Sequence, residues 1–252
     1  MKKTFFIAAT ALVMFASCAS DYRLTGVSRS RILIDATYDK NPDQAAATFL
    51  APYKKSVDSL MSPVVGHVAH YMEAKGPESD LSNLLSDILV WGGKKYNEQP
   101  VFSVYNMGGI RAALSEGVVT FGDIINVAPF ENKICFFDMS GESVMELFSQ
   151  IAATGGQGVS HGVELVISND RKLLSAKING KEIDRNAVYR VASIDYLAQG
   201  NDGLTAFKKK TRLNSPQTSE NNVRYIIMDY FKEKDQKGEV VDSKVEGRIT
   251  VK

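Results

Sequence analysis

The sequence predicts an α+β protein in which a mixed β-sheet is packed with helices. Two patterns point there. Apolar residues recur at helical spacing in several segments, and short apolar or β-branched runs both cluster together and alternate with those segments. Composition is the third observation. The chain has 252 residues, 44% hydrophobic and 23% charged, the make-up of an ordinary globular protein rather than a disordered, collagen-like or coiled-coil one. Thirty Lys+Arg against 29 Asp+Glu leave a net charge of +1, without the basic excess that binding a nucleic acid polymer needs.

The first element is an export signal. Lys2 and Lys3 precede an apolar run from Phe5 to Phe15 that is too short to span a bilayer, and small residues follow. Phe15-Ala16-Ser17-Cys18 resembles a bacterial lipobox, with Phe15 in place of the usual Leu. The expectation is a signal peptide over 1–17, lipidation at Cys18, a tether over 18–30 and a folded domain over 31–252. Cys135 would then be left alone in the apolar run Ile134-Cys135-Phe136-Phe137, a small buried hydrophobe with no disulfide partner.

Arg31 to Thr37 alternates around Ile32 and Ile34 and reads as a strand. Asp43 to Met61 reads as a helix through Phe49, Tyr53, Val57 and Leu60. Val64 to Met72 is apolar without a decisive period. Leu81, Leu84, Leu85, Ile88 and Leu89 form one helical stripe, capped by Ser79 or Asp80 and stopped at Gly92-Gly93. Val101 to Tyr105 is a strand. Thr120 and Asp123 make a capping box for a short helix. Lys133 to Met139 is a buried strand, and Gly141 to Ala153 a helix with Val144, Leu147, Phe148 and Ile151 inward. Strands are expected near Val163–Ser168, Leu173–Ile178 and Ala187–Ile194. A helix with Val223, Ile226, Ile227, Tyr230 and Phe231 on one face precedes a last strand, Val245 to Val251.

Few residues carry chemistry outright. There are three His and no HExxH. His67, His70 and Glu73 are spaced for one helix face, but a partly exposed face explains that spacing better than a metal site. His161 sits in a Gly/Ser loop with no defined partner. Asn106-Met107-Gly108-Gly109-Ile110-Arg111 follows a strand: its glycines permit close backbone approach, Asn106 offers donor and acceptor, and Arg111 offers a planar fork. Gly200-Asn201-Asp202-Gly203 sets a carboxylate among glycines after another strand, and Pro129-Phe130-Glu131-Asn132 presents an aromatic on a connection. Taken singly, each also reads as a structural turn.

Taken in order, these pieces resemble the C-terminal domain of the 5′-nucleotidase family. The matching blocks are Glu78 to Leu84 with Asp87, Asn106 to Arg111, Pro129 to Asn132, Gly141, Asp195-Tyr196-Leu197-Ala198 with Gly200 to Gly203, and Val245 to Ile249. The resemblance is closest over 60–252. It implies that Phe130 and Tyr196 sandwich a base, that Asn106 and Arg111 contact base and ribose, and that Asp202 takes the ribose hydroxyls. Gly108, Gly109 and Asn132 complete the implied substrate-binding set. Stacking of this kind is worth about 1–3 kcal/mol per base. Where the family has Gly-Gly-Asp-Gly-aromatic, this chain has Gly200-Asn201-Asp202-Gly203-Leu204: Asn201 adds a side chain where Gly allows close approach, and Leu204 removes an aromatic.

The family's metallophosphatase motifs, Asp-x-His, Gly-Asn-His-Asp/Glu and Gly-His-x-His, are missing. No catalytic residue, metal ligand or cofactor is therefore expected in this chain. The divalent metal pair is expected only in a separately encoded metallophosphatase. The resemblance implies the nucleotide-recognising half of a 5′-nucleotidase-type phosphohydrolase, inactive alone, on a membrane-anchored lipoprotein of a bacterial envelope. The alternative is a non-catalytic nucleoside- or nucleotide-binding surface lipoprotein.

Overall fold

The structure, a computed structural model, describes residues 22–252, so the expected export signal and Cys18 lie outside the described residues. Contacts divide the chain into two units, Met1–Leu50 and Ala51–Lys252. In the first, the chain runs through residues 22–34 without regular structure and makes a 3₁₀ turn at Tyr38–Lys40. The strand expected over Arg31 to Thr37 does not form. Ile32 and Ile34 are exposed, and no strand among the described residues pairs with them, which leaves their alternation without a ladder to satisfy the backbone. Helix α1, Gln44–Met61, begins where Asp43 Oδ1 accepts from the amides of Ala45 and Ala46 at 2.9 and 3.0 Å. It buries none of its residues.

The second unit carries, in chain order, β1 (Val64–Val68), α2 (Asp80–Gly92), β2 (Phe102–Tyr105), β3 (Gly117–Thr120), α3 (Phe121–Val127), β4 (Ile134–Ser140), α4 (Gly141–Thr154), β5 (Gly158–Val159), β6 (Val163–Ile167), β7 (Leu173–Ile178), β8 (Lys181–Glu182), β9 (Val188–Ile194), α5 (Asp195–Ala198), β10 (Thr211–Asn214), α6 (Val223–Gln236) and β11 (Ile249–Val251). The central sheet has the order β10-β4-β9-β2-β5. It is mixed: β2 runs parallel to β9, and the other pairs are antiparallel. A second sheet, β11-β6-β7-β8, pairs β11 parallel to β6, and β1 pairs with β3. This is the α+β architecture expected.

The helices follow their stripes and caps. Leu81, Leu84, Leu85, Ile88 and Leu89 are all buried as α2 packs on β2, β5 and α6. Ser79 caps it and Ser82 returns the bond, a reciprocal box. Thr120 and Asp123 form the box expected at α3. The α-helix ends where expected, at Gly92, with Gly93 as its C-cap, and the two glycines also serve packing. A Cβ there would lie 2.8 Å from Ile226 and 2.8 Å from the Glu98 carbonyl respectively, and a 3₁₀ turn, Gly93–Tyr96, carries the chain on to Asn97, whose φ is 55°.

Two charged networks lock distant segments. Arg190 donates to both oxygens of Glu98 (2.8 and 2.6 Å) and to Asp138 (3.1 Å), which also accepts from Arg212. Those bonds hold the Glu98 carboxyl below its ordinary range. At the chain's end, Glu78 accepts from Asn83 and from the amides of Glu246 and Ile249. Arg248, 4% exposed, meets Asp87 through two bonds of 2.9 and 2.7 Å. Two sequence blocks some 160 residues apart thus clasp each other and close β11 onto β6. Only Ile249–Val251 of the expected last strand is extended ladder, because Glu78 rather than a strand takes the amide of Glu246.

Candidate functional site

Three strand ends meet at one edge of the central sheet. β2 delivers Asn106 just past Tyr105, and its parallel neighbour β9 delivers Tyr196 just past Ile194. β4 runs the other way, so its start, Ile134 opposite Ile194, places Phe130 and Asn132 at the same edge. Carboxyl ends of parallel strands are where open α/β sheets form crevices. Here a cleft of about 290 Å³ is lined by Asn106, Gly108, Arg111, Phe130, Asn132, Tyr196 and Asp202. Seven of the eight expected substrate-binding residues therefore line one cavity.

Asp202 organises its floor. It holds a left-handed φ of 54° between two glycines that also have positive φ, Gly200 and Gly203. Asn106 Nδ2 donates to its Oδ2 at 2.8 Å, and the Tyr196 phenol donates to its Oδ1 at 2.7 Å. That bond to a carboxylate raises the Tyr196 pKa. Each carboxylate oxygen keeps a further lone pair for a ligand hydroxyl. Arg111 stands at the other end, its guanidinium 5.7 Å from the Phe130 ring centre, with one donor on the Gly108 carbonyl. It pairs with no carboxylate among the described residues. Phe130 and Tyr196 are 46% and 36% exposed, so both rings offer surface to the cleft. The arrangement suits a flat ring between aromatic walls with vicinal hydroxyls on a carboxylate.

The eighth residue, Gly109, is buried beneath. A Cβ there would lie 2.4 Å from Asn106 Oδ1, so its bare backbone makes room for the Asn106 side chain. The two departures at 200–204 do not obstruct the cleft. Asn201 turns its amide onto the Tyr196 carbonyl at 2.8 Å and does not line the cavity, and Leu204 is fully buried. Sequence reasoning gave no role to Gln157, which accepts from the Met107 amide at 2.7 Å, or to Arg224, which donates to the Pro129 carbonyl at 2.7 Å. Neither lies in a recognisable pattern.

The three His residues stand apart from this cleft, His67 beside Asp235, His70 between Asp80 and Asp242, and His161 beside Glu246. Among the described residues no group of three or more His, Cys, Asp or Glu is arranged to hold a metal ion, so the side chains present do not fit a dimetal centre. A second cleft, about 350 Å³, is lined by His161, Glu164, Asn179, Glu246 and Arg248 among others. Its Arg248 and Glu246 are bonded to each other, to Asp87 and to His161, so it is the outer face of the terminal clasp. Cys135 is buried, and burial raises its thiol pKa. No helix of the described residues is long and apolar enough to cross a membrane.

The α+β domain thus carries, at the ends of parallel strands, one cleft lined by two aromatic rings, an arginine and a carboxylate. Residues 64–209 match the family described as 5′-nucleotidase, C-terminal domain, and the chain belongs to that family. The trifunctional nucleotide phosphoesterase protein YfkN of Bacillus subtilis is 26% identical over 236 residues, covering 86% of this chain and 16% of that protein. The 5′-nucleotidase of Vibrio vulnificus is 31% identical over 165 residues, covering 64% of this chain and 30% of that protein. The crystal structure of a 5′-nucleotidase precursor from Thermus thermophilus superposes with a TM-score of 0.70 at 25% identity, covering 83% of this chain and 44% of that one. The chain thus spans less than a third of the length of these curated relatives.

Proposed function

We propose that this chain binds the nucleoside part of a nucleotide in the cleft at 106–202 and presents it for phosphate hydrolysis by a separate metallophosphatase. The carrying observation is the convergence of Phe130, Tyr196, Asp202, Asn106 and Arg111 on one cavity. The rings stack on the base, Asp202 accepts from the ribose hydroxyls, and Arg111 supplies a cationic fork at the cleft's other end. A divalent metal pair belongs to the partner in this reading, because the donor sets among the described residues do not fit one. That same observation favours a second reading, a surface protein that captures nucleosides or nucleotides without chemistry. Export and lipidation at Cys18 place either form on a bacterial envelope.

Calorimetric titration of the mature chain with adenosine, AMP and UDP-glucose, without and then with divalent metal, tests the cleft. Metal-independent binding that Phe130→Ala or Asp202→Ala abolishes supports it, and no binding of any of the three refutes it. Reconstitution with candidate metallophosphatases separates the two readings: hydrolysis sensitive to Phe130→Ala selects the half-enzyme. Mass analysis of the native N-terminal peptide tests lipidation at Cys18.

A further inference from the structure

The two aromatic walls stand on neighbouring antiparallel strands. Phe130 precedes β4 and Tyr196 follows β9, and the ladder between these strands ends at Ile134 opposite Ile194. Beyond that pair the chains leave the ladder, one leading back to Phe130 and the other on into α5. One carboxylate spans the point of separation. Asp195 Oδ1 accepts from the Lys133 amide at 3.0 Å and from the Tyr196 amide at 2.8 Å. The Asp195 amide donates to the Lys133 carbonyl at 2.9 Å. The same oxygen therefore ties the stem of the Phe130 loop to the residue that forms the opposite wall. From behind, α6 holds the loop at both ends: the Val223 amide donates to the Asn132 carbonyl at 2.8 Å and Arg224 to the Pro129 carbonyl at 2.7 Å. Asp195 does not itself line the cleft.

We infer that Asp195 is a positioning residue that sets the gap between Phe130 and Tyr196, and with it the fit of a flat ring in the cleft. The inference rests on reading the cleft as a nucleoside site. Backbone hydrogen bonds fix the carboxylate against both segments, so a change at Asp195 shifts one wall relative to the other. The hydroxyl-binding carboxylate of Asp202 hangs from Asn106 as well as Tyr196, so its position depends less on Asp195. Asp195 thus governs the base and leaves the sugar contacts largely in place.

The test uses the mature chain with Asp195→Ala and Asp195→Asn, each alone and combined with Phe130→Ala, titrated with adenosine and with ribose 5-phosphate. Asp195→Ala should weaken adenosine binding about tenfold, the size expected for losing the acceptor of two amide bonds. Ribose 5-phosphate binding should stay constant. Asparagine keeps an oxygen that accepts from both amides, so Asp195→Asn should restore adenosine binding to within about twofold of wild type. In the Phe130→Ala background Asp195→Ala should add no further loss, because the wall it positions is gone. Should Asp195→Ala fail to fold, Asp195→Glu replaces it: the acceptor moves by one methylene, and the same loss and the same coupling are expected. An unchanged adenosine affinity overturns the inference, as does an equal loss with or without Phe130 or an equal loss for ribose 5-phosphate. If the wild-type chain binds no adenosine or AMP, the nucleoside reading itself falls, and the inference with it.

Discussion

Replacing Gly109 with Ala isolates the internal support of the cleft, because the three atoms nearest a Cβ there all belong to the Asn106 side chain. Its φ is not in the left-handed region, so the backbone accepts Ala, and the contact made by the new methyl is the whole penalty. That methyl would lie 2.4 Å from Asn106 Oδ1 and 3.0 Å from its Cγ, about 1 Å inside ordinary contact distance. Asn106 is 5% exposed and cannot absorb this by a small rotation, so its side chain must leave and its bond to Asp202 breaks. A hydrogen bond to a charged group is worth about 1.5–3 kcal/mol. Asp202 is exposed and water replaces part of that, so the net loss should be about 1–2 kcal/mol. The same loosening of Asp202 should weaken adenosine binding about tenfold. Urea unfolding gives the first quantity and calorimetry the second. Gly108→Ala is the control for stability, since nothing lies within 4 Å of a Cβ there. Wild-type stability and wild-type affinity in Gly109→Ala would refute the argument that Asn106 holds Asp202.

Arg248→Met should cost about 3 kcal/mol, near the lower limit for breaking a buried ion pair because Asp87 and Glu246 stay partly exposed and regain water. For a domain this size that lowers Tm by roughly 6–12 °C, and a shift within about 2 °C would show the clasp to be dispensable. Gly141→Ala places a methyl 1.9 Å from the Asp184 carbonyl oxygen, a backbone atom that no side-chain rotation can move away. A loss of about 3 kcal/mol or failure to fold is expected, against near-neutrality if the 184–185 turn yields. Glu98 has a folded pKa depressed below its ordinary 4.5 by the Arg190 bonds. Its share of stability is therefore complete above pH 4.5 and drains away as the pH falls through the depressed value. Glu98→Gln should lower stability at neutral pH and flatten this acid limb in urea titrations. An unchanged limb would mean that other carboxylates carry it.

Much of this protein is legible from local pattern. Helical stripes such as Leu81 to Leu89 and capping pairs such as Thr120 with Asp123 involve residues within a turn or two of each other, so their spacing states the structure directly. The site residues were legible for a different reason: Asn106, Phe130, Tyr196 and Asp202 sit in short loop patterns that resemble a known family in their order along the chain. The strand read at Arg31 to Thr37 shows the limit of local pattern, since alternation marks a strand only where a partner strand exists. β3, β5, β8 and β10 show the converse, ladders of two to four residues, too short for any period to show.

The sequence by itself determined which segments become helices, where they are capped, and which loops carry rings, amides and a carboxylate. Only the tertiary structure decided that β2 lies parallel to β9 and β4 antiparallel beside it, which turns three loops far apart in sequence into one cleft. It alone decided that Gly109 shelters Asn106, that Asp195 bridges the two walls, and that Arg248 closes the chain's end onto α2. The reason is physical. Periodicity and capping are set by neighbours along the chain, whereas pairing and buried hydrogen bonds are set by which distant segments satisfy one another's polar groups.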